Sequence, residues 1–306
     1  MTSYKNVLVL GTGFVSKNIF EQKESFTSNI KKVISVSRSD DFSYSDRHVK
    51  TDFSDIKTIN AILKEENINS IYIFFGPSFP SISFDNSFND INSYLIPFIK
   101  LLQLVHNYNI EEIIMLGSAG TVYGSELDKN FQEDNVIMQK NTYGALLKMM
   151  ENYLIIHSNM YNFNYKILRL SNVFGIHHES QENGFINLAI RNTIFNKPIN
   201  IFSSVSKNYI YSKDIGQIFW LLNKIDKSNY IVNISSDFEF STIEICDRIK
   251  LILPRLHYDT KISDKNYDTI HPKISNLRLN SLIKFDFTPF QEAIIETIQW
   301  EKTKLN

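Results

Sequence analysis

The chain has 306 residues, 43% of them apolar, enough to bury a large core in one big domain or two smaller ones. Its 32 basic and 33 acidic residues are interspersed and leave a formal charge of −1, so nothing in the charge points to nucleic acid or an anionic membrane as partner. The single cysteine, Cys246, excludes an internal disulfide and lies in the amphipathic run STIEICDRIKLIL, where a buried structural thiol in a reducing cytoplasm is expected.

Short β-branched runs alternate with helical patterns through the first two thirds. NVLVLG opens as a strand with no targeting segment before it, and no apolar stretch reaches the ~18 residues that a membrane span needs. A helix from about Ser16 follows, then KKVISVS, the helical IKTINAILKEEN, SIYIFFG, the helical SYLIPFIKLLQLVHNY, EEIIMLGS and YKILRLS. Strands separated by helices mean βαβ units with right-handed crossovers and hence a doubly wound, Rossmann-like parallel sheet. Beyond about residue 175 the elements shorten (PINIFS, NYIYS, YIVNIS, then two helical stretches ending at QEAIIETIQW). The expectation is a dinucleotide-binding domain over residues 1–175, whose core takes in some later elements. Residues 176–306 should then form a smaller α/β substrate lobe closing a cleft.

The first strand runs into GTGFVS, with Gly11, Gly13 and then Ser16 where a third glycine is usual. Glycines between a strand and a helix permit a tight turn. They also let backbone N–H groups at the helix N-terminus approach a pyrophosphate, with Phe14 and Val15 beside it. After the second strand an NAD-binding fold usually places an acid for the adenine ribose, but here stand Ser37 and Arg38. A hydroxyl beside a guanidinium suits a 2′-phosphate, which favours NADP(H) over NAD. The competing readings are an exposed loop arginine, and Asp40 or Asp41 turning back toward a ribose.

Taken together, these runs resemble the extended short-chain dehydrogenase/reductase family, particularly its nucleotide-sugar epimerases, dehydratases and reductases. The resemblance covers nearly the whole chain. GTGFVS resembles the family's GxGFxG turn; Asp52 and Phe53 in KTDFSD match the segment whose acid contacts adenine; FFGP, with Gly76, stands where HLAA is usual. Asn92 matches the asparagine of a helix that supports the site. GSAGTVYG resembles SSGGTVYG, NTYGALLKMMEN the active-site helix, LRLSNVFG the LRxxNVYG strand end, and NYIYSKDI the DYIYVDDV segment. The resemblance implies Tyr143 as proton donor or acceptor at the nicotinamide, a nucleotide-sugar substrate, and a homodimer. It also implies substrate contacts from Asn172, Lys207 and Tyr123, and a supporting role for Arg169.

Two positions depart from the family pattern. The usual Ser/Thr, four residues before the Tyr of TVYG, falls on Ala119, leaving Thr121 as first candidate to polarise a carbonyl and Ser118 as second. The usual lysine falls on Leu147, and because Glu151 keeps its spacing from Tyr143, substitution explains this better than insertion. At 3.6 residues per turn, position 147 returns to about 40° from Tyr143, whereas Lys148 points about 140° away. Without the ammonium Tyr143 should stay protonated, which harms reduction least because reduction asks the tyrosine only to donate.

The expectation is therefore an NADP(H)-dependent reductase of a nucleotide-linked keto-sugar of the 4-keto-6-deoxy kind, with two alternatives open: an epimerase or dehydratase with resident NAD, and a relative that only binds nucleotide-sugar or dinucleotide. Adjacent His177 and His178 seldom converge on one ion and have no clustered partners, so no metal is expected. His106 and His157 lie in helical runs and read as surface or packing residues, and Asp214 as a helix cap or anchor.

Overall fold

The computed structural model describes residues 4–26, 29–77, 85–123, 130–135, 139, 141–201, 206–261 and 273–304. The chain begins with β1 (Lys5–Leu10), α1 (Phe14–Glu21), a single turn α2 (Lys23–Phe26), β2 (Ile30–Ser37), β3 (Arg47–Lys50), α3 (Ile56–Glu65) and β4 (Ser70–Ile73). A compound helix follows: α4 (Ser87–Asp90), a π turn (Ile91–Leu95) and α5 (Ile96–Val105). Then come β5 (Glu112–Ser118), α6 (Ala119–Val122), β6 (Asn130–Phe131), α7 (Thr142–Tyr161), β7 (Asn164–Leu170) and β8 (Asn172–Phe174). The last third holds α8 (Phe185–Ile194), β9 (Ile199–Ile201), β10 (Lys207–Tyr211), α9 (Ser212–Lys224), β11 (Tyr230–Ile234) and β12 (Glu239–Phe240). It closes with α10 (Thr242–Lys250), β13 (Tyr258–Thr260), β14 (Lys273–Ile274), α11 (Leu277–Leu282) and α12 (Phe290–Thr303).

Seven strands form one parallel sheet in the order β11-β7-β5-β4-β1-β2-β3. Val7 to Leu10 of β1 are wholly buried, as expected of a strand covered on both faces. One face packs on α3, α5 and α7 through residues such as Ile62, Phe98 and Leu154; the other packs on α1 and α9 through Phe20, Phe219 and Trp220. The strand order reverses between β1 and β4, and that switch point is where open α/β sheets bind ligands.

Beyond residue 175 the chain both builds the second lobe and returns to the sheet, because β11 pairs with β7 and α9 packs on α1. A separate core of α8, α10 and α12 around β8 and β10 makes the lobe itself, with Cys246 buried in it as a free thiol. Asp214 in the first turn of α9 accepts hydrogen bonds from Thr288 N (3.1 Å) and Oγ1 (2.6 Å), and burial pushes its carboxyl up to about 6. It anchors the approach to α12. Among the described residues no helix is long and apolar enough to cross a membrane.

Candidate active site

At the switch point Gly11 adopts φ +98°, and a Cβ there would stand 2.9 Å from the backbone of Phe74 at the end of β4. Only glycine lets the β1 turn approach β4 this closely. Gly13 differs: nothing lies within 4 Å of where its Cβ would be, so its missing side chain leaves open space at the N-terminus of α1. Ser16 occupies the third-glycine position by turning its hydroxyl back on the Gly11 carbonyl (2.7 Å). A polar side chain is thereby buried without cost to the turn.

Two cavities open on either side of this turn and share Gly13, Phe74, Phe75 and Gly76 in their walls. The larger, about 700 Å³, is lined by Gly11, Ser37, Arg38, Asp52, Phe53 and Gly76 among others. Ser37 Oγ shares a hydrogen bond with Thr12 Oγ1 (2.6 Å) and accepts one from Ser39 N (3.2 Å). Arg38, largely exposed, has its Nε 3.7 Å from an Asp52 carboxylate oxygen, while Asp40 is engaged by Lys50. Phe53 stacks on Phe75 at 3.5 Å with Tyr94 beside them, an aromatic wall of which sequence reasoning named only Phe53 as a site residue.

The second cavity, about 510 Å³, brings together Gly13, Phe14, Val15, Gly76, Ser118 and Tyr143 with Asn172 and Lys207 from the second lobe. The paired cavities thus meet the needs of an extended dinucleotide: an open helix N-terminus between a polar, aromatic end and a reactive end. Among the described residues no carboxylate lines the smaller cavity. Thr121 and Tyr123, expected at the reaction and the substrate, are not in its wall. Thr121 is buried under α7 with its hydroxyl unpartnered among the described residues, and its carbonyl lies 2.2 Å from where a Cβ on Gly144 would sit.

Tyr143 sits in the first turn of α7, which Asn141 caps by accepting from Gly144 N (2.7 Å). Burial, and secondarily the charge of Asp90, push its phenol up to about 12. Leu147 is buried one turn on. Asn92, singled out by the family resemblance, donates to the Phe88 carbonyl (2.9 Å) and lines the larger cavity, whereas Asp90, which the sequence did not flag, is buried. The π turn that starts at Ile91 has more residues per turn than an α-helix, which changes the helical face that each following residue takes.

Lys148 lies on the opposite side and pairs with Glu151 (3.1 Å). Glu151, wholly buried, also accepts from Arg169 Nε (2.8 Å) and Nη2 (2.7 Å). Arg169 Nη1 donates to the Tyr123 hydroxyl (2.6 Å), which donates to Asn233 Oδ1 (2.7 Å). Asn233 N in turn donates to Glu133 (2.8 Å). Tyr123 is therefore a link in a buried network beneath the cavity. Asn172 lines the cavity while donating to the Asn208 carbonyl (2.9 Å).

The two adjacent histidines diverge. His177, at φ +66°, faces Glu21 and Trp300, whereas His178 turns into the smaller cavity. Among the described residues no group of three or more His, Cys, Asp or Glu side chains is placed to hold a metal ion.

Comparison with known proteins agrees with this architecture. The human dTDP-D-glucose 4,6-dehydratase is 21% identical over 322 residues, covering 97% of this chain and 89% of its own. A putative UDP-glucose 4-epimerase of Methanocaldococcus jannaschii is 29% identical over 171 residues, 55% of each chain. Among solved structures, the UDP-glucose 4-epimerase of Thermotoga maritima with UDP-glucose superposes with a TM-score of 0.89 at 17% identity, over 98% of this chain and 100% of that one. That of Thermus thermophilus, in complex with NAD, gives 0.87 at 18%, over 97% and 99%. Residues 7–235 match the model of one family along the sheet and both cavities, and the chain belongs to it: the NAD dependent epimerase/dehydratase family.

Proposed function

We propose that this protein is an NADP(H)-dependent reductase of a nucleotide-linked keto-sugar, of the 4-keto-6-deoxy kind, serving cell-surface polysaccharide synthesis in the cytoplasm. The observation that carries this reading is that no lysine of its own helix stands beside Tyr143: Leu147 occupies that side, Lys148 is committed to Glu151, and burial with the nearby Asp90 carboxylate favours the neutral phenol. A bound reduced nicotinamide supplies the hydride. Tyr143 donates its proton to the ketone oxygen, and Ser118, in the same cavity wall, donates a hydrogen bond to that oxygen. Asn172 and Lys207 face the nucleotide-sugar from the second lobe.

Oxidising a sugar hydroxyl, the opening step of epimerisation and dehydration, requires the tyrosine to accept a proton first. A phenol held near 12 is seldom available as the phenolate. Removal of water also requires an acid and a base, and no carboxylate lines the cavity among the described residues. Arg38 and Ser37 at the end of β2, with Asp40 drawn off by Lys50, suit a 2′-phosphate and support NADP(H). The exposed apolar stripe Met149, Ile156 and Met160 of α7, beside Phe88, Ile91 and Ile96, supports a homodimer.

The UDP-glucose 4-epimerases among the structural relatives favour a second reading, an epimerase whose NAD stays bound. It would retain cofactor through purification and turn over without added reductant. Ala119 and Leu147 favour a third, a protein that holds dinucleotide or sugar nucleotide without chemistry. NADPH oxidation with a panel of nucleotide-linked keto-sugars separates the three. In the reductase, Tyr143→Phe lowers turnover at least about 100-fold while NADPH binding persists; undiminished turnover removes Tyr143 from the mechanism.

A further inference from the structure

His178 stands out among the residues of the smaller cavity because nothing in the proposed chemistry uses it. Its side chain is 6% exposed, and its Nδ1 is buried with no hydrogen-bond partner among the described residues. Buried polar atoms in folded proteins nearly always find partners, and one left without costs stability unless something else supplies the bond. The residue is also held firmly. Asn18 of α1 donates to the Ile176 carbonyl (2.9 Å), and Arg191 Nη2 donates to the His178 carbonyl (2.6 Å) while pairing with Glu301 of α12 (2.6 Å). The ring packs edge-on to Phe14 with centroids 4.7 Å apart, at the first residue of α1. On its other side lies Gly184, where φ is +79° and a Cβ would come within 2.5 Å of Nε2. A glycine at that point makes room for the imidazole.

The ring therefore spans the gap between the N-terminus of α1 and the entry to α8, fixed by both lobes, with Nδ1 unpartnered among the described residues. The ligand chemistry that fits this place is an anion with several acceptor oxygens, because the α1 N-terminus favours negative charge and Lys207 lines the same cavity. We infer that His178 is a ligand-contact residue whose Nδ1–H donates to a diphosphate oxygen bound in the cleft between the lobes. The inference rests on the cleft's assignment to a dinucleotide and a nucleotide-sugar, both of which carry a diphosphate. Burial holds the imidazole down to about 4, so in the empty protein it is neutral and has one N–H to give.

The test uses the full chain and two separate titrations, one with NADPH and one with UDP, dTDP or GDP. His178→Leu should weaken binding about 10-fold or more in one titration, the scale of a hydrogen bond to a charged group. A loss confined to NADPH assigns the contact to the cofactor's diphosphate; a loss confined to the nucleoside diphosphates assigns it to the substrate's. His178→Asn, which keeps a donor near the Nδ1 position, should recover part of the affinity. Because His178→Leu removes an unsatisfied buried atom, the ligand-free Tm should hold or rise by about 2 °C. Unchanged affinity in both titrations, or a fallen Tm with both affinities lost, would overturn the role of His178. A wild-type chain that binds neither probe would overturn the assignment of the cleft itself.

Discussion

Two sets of residues on helix α7 differ in kind and in what they do. Toward the cavity it presents Tyr143 and Leu147, with burial and Asp90 together favouring the neutral phenol. Away from the cavity wall the partly exposed Lys148 pairs with the buried Glu151, and Glu151 joins Arg169 in a fully buried ion pair. Cationic charge stands beside Glu151, where it organises the structure, while the charge acting on Tyr143 is the carboxylate of Asp90. A lysine one residue farther along a helix is thus a different part of the protein, since one step turns a side chain by about 100°.

The largest expected effect comes from breaking the charged side. Glu151→Gln leaves Arg169 buried without its counter-charge and should cost about 3–5 kcal/mol of stability, read as a drop in the denaturation midpoint. Tyr123 and Asn233 should become less protected in hydrogen exchange at the same time. A midpoint unchanged by this substitution would mean the network contributes nothing to holding α7.

Sharpening the uncharged side is the next test. Leu147→Lys places an ammonium one turn from Tyr143 and should lower the phenol's pKa by about 1–3 units from its raised value. The tyrosine's folded-state pKa lies above its ordinary value, so the phenol persists at neutral pH and the phenolate appears only as pH rises toward about 12. The substitution should move that limb downward in the pH profile of alcohol oxidation and raise the oxidation rate, with less effect on reduction. If the variant instead creates an activity the parent lacks altogether, the binding-only reading is correct. The smallest effect belongs to Lys148→Met: the lysine is partly exposed, so stability should change by under about 1 kcal/mol and turnover hardly at all. A large loss of turnover in this variant would place Lys148 at the reaction after all.

Much of this arrangement is readable in the residues. Alternating strands and helices imply the doubly wound sheet, and helical spacing alone separates Lys148 from Tyr143. GTGFVS implies an anion-binding turn, although it does not reveal that Ser16 satisfies itself on Gly11. What could not be read depends on changes of backbone period or on distant partners. Asp90 is buried just before the π turn at Ile91–Leu95, a change of helical period with no signal in the residues. At the end of β5 the two-residue alternation gives way to the single helical turn Ala119–Val122, so Ser118 reaches the cavity and Thr121 goes beneath α7. Tyr123 finds Asn233, 110 residues away, and His178 finds Phe14 and Gly184, pairings with no local signature.

The most direct test of the account is the ionisation of Tyr143 itself. With tyrosine ring carbons labelled and the Tyr143 signal assigned by its loss in Tyr143→Phe, NMR across a pH series should show no titration of that ring through about pH 10. A midpoint near neutrality would mean that some cation reaches the phenol, and would contradict the claim that this site works with a neutral acid.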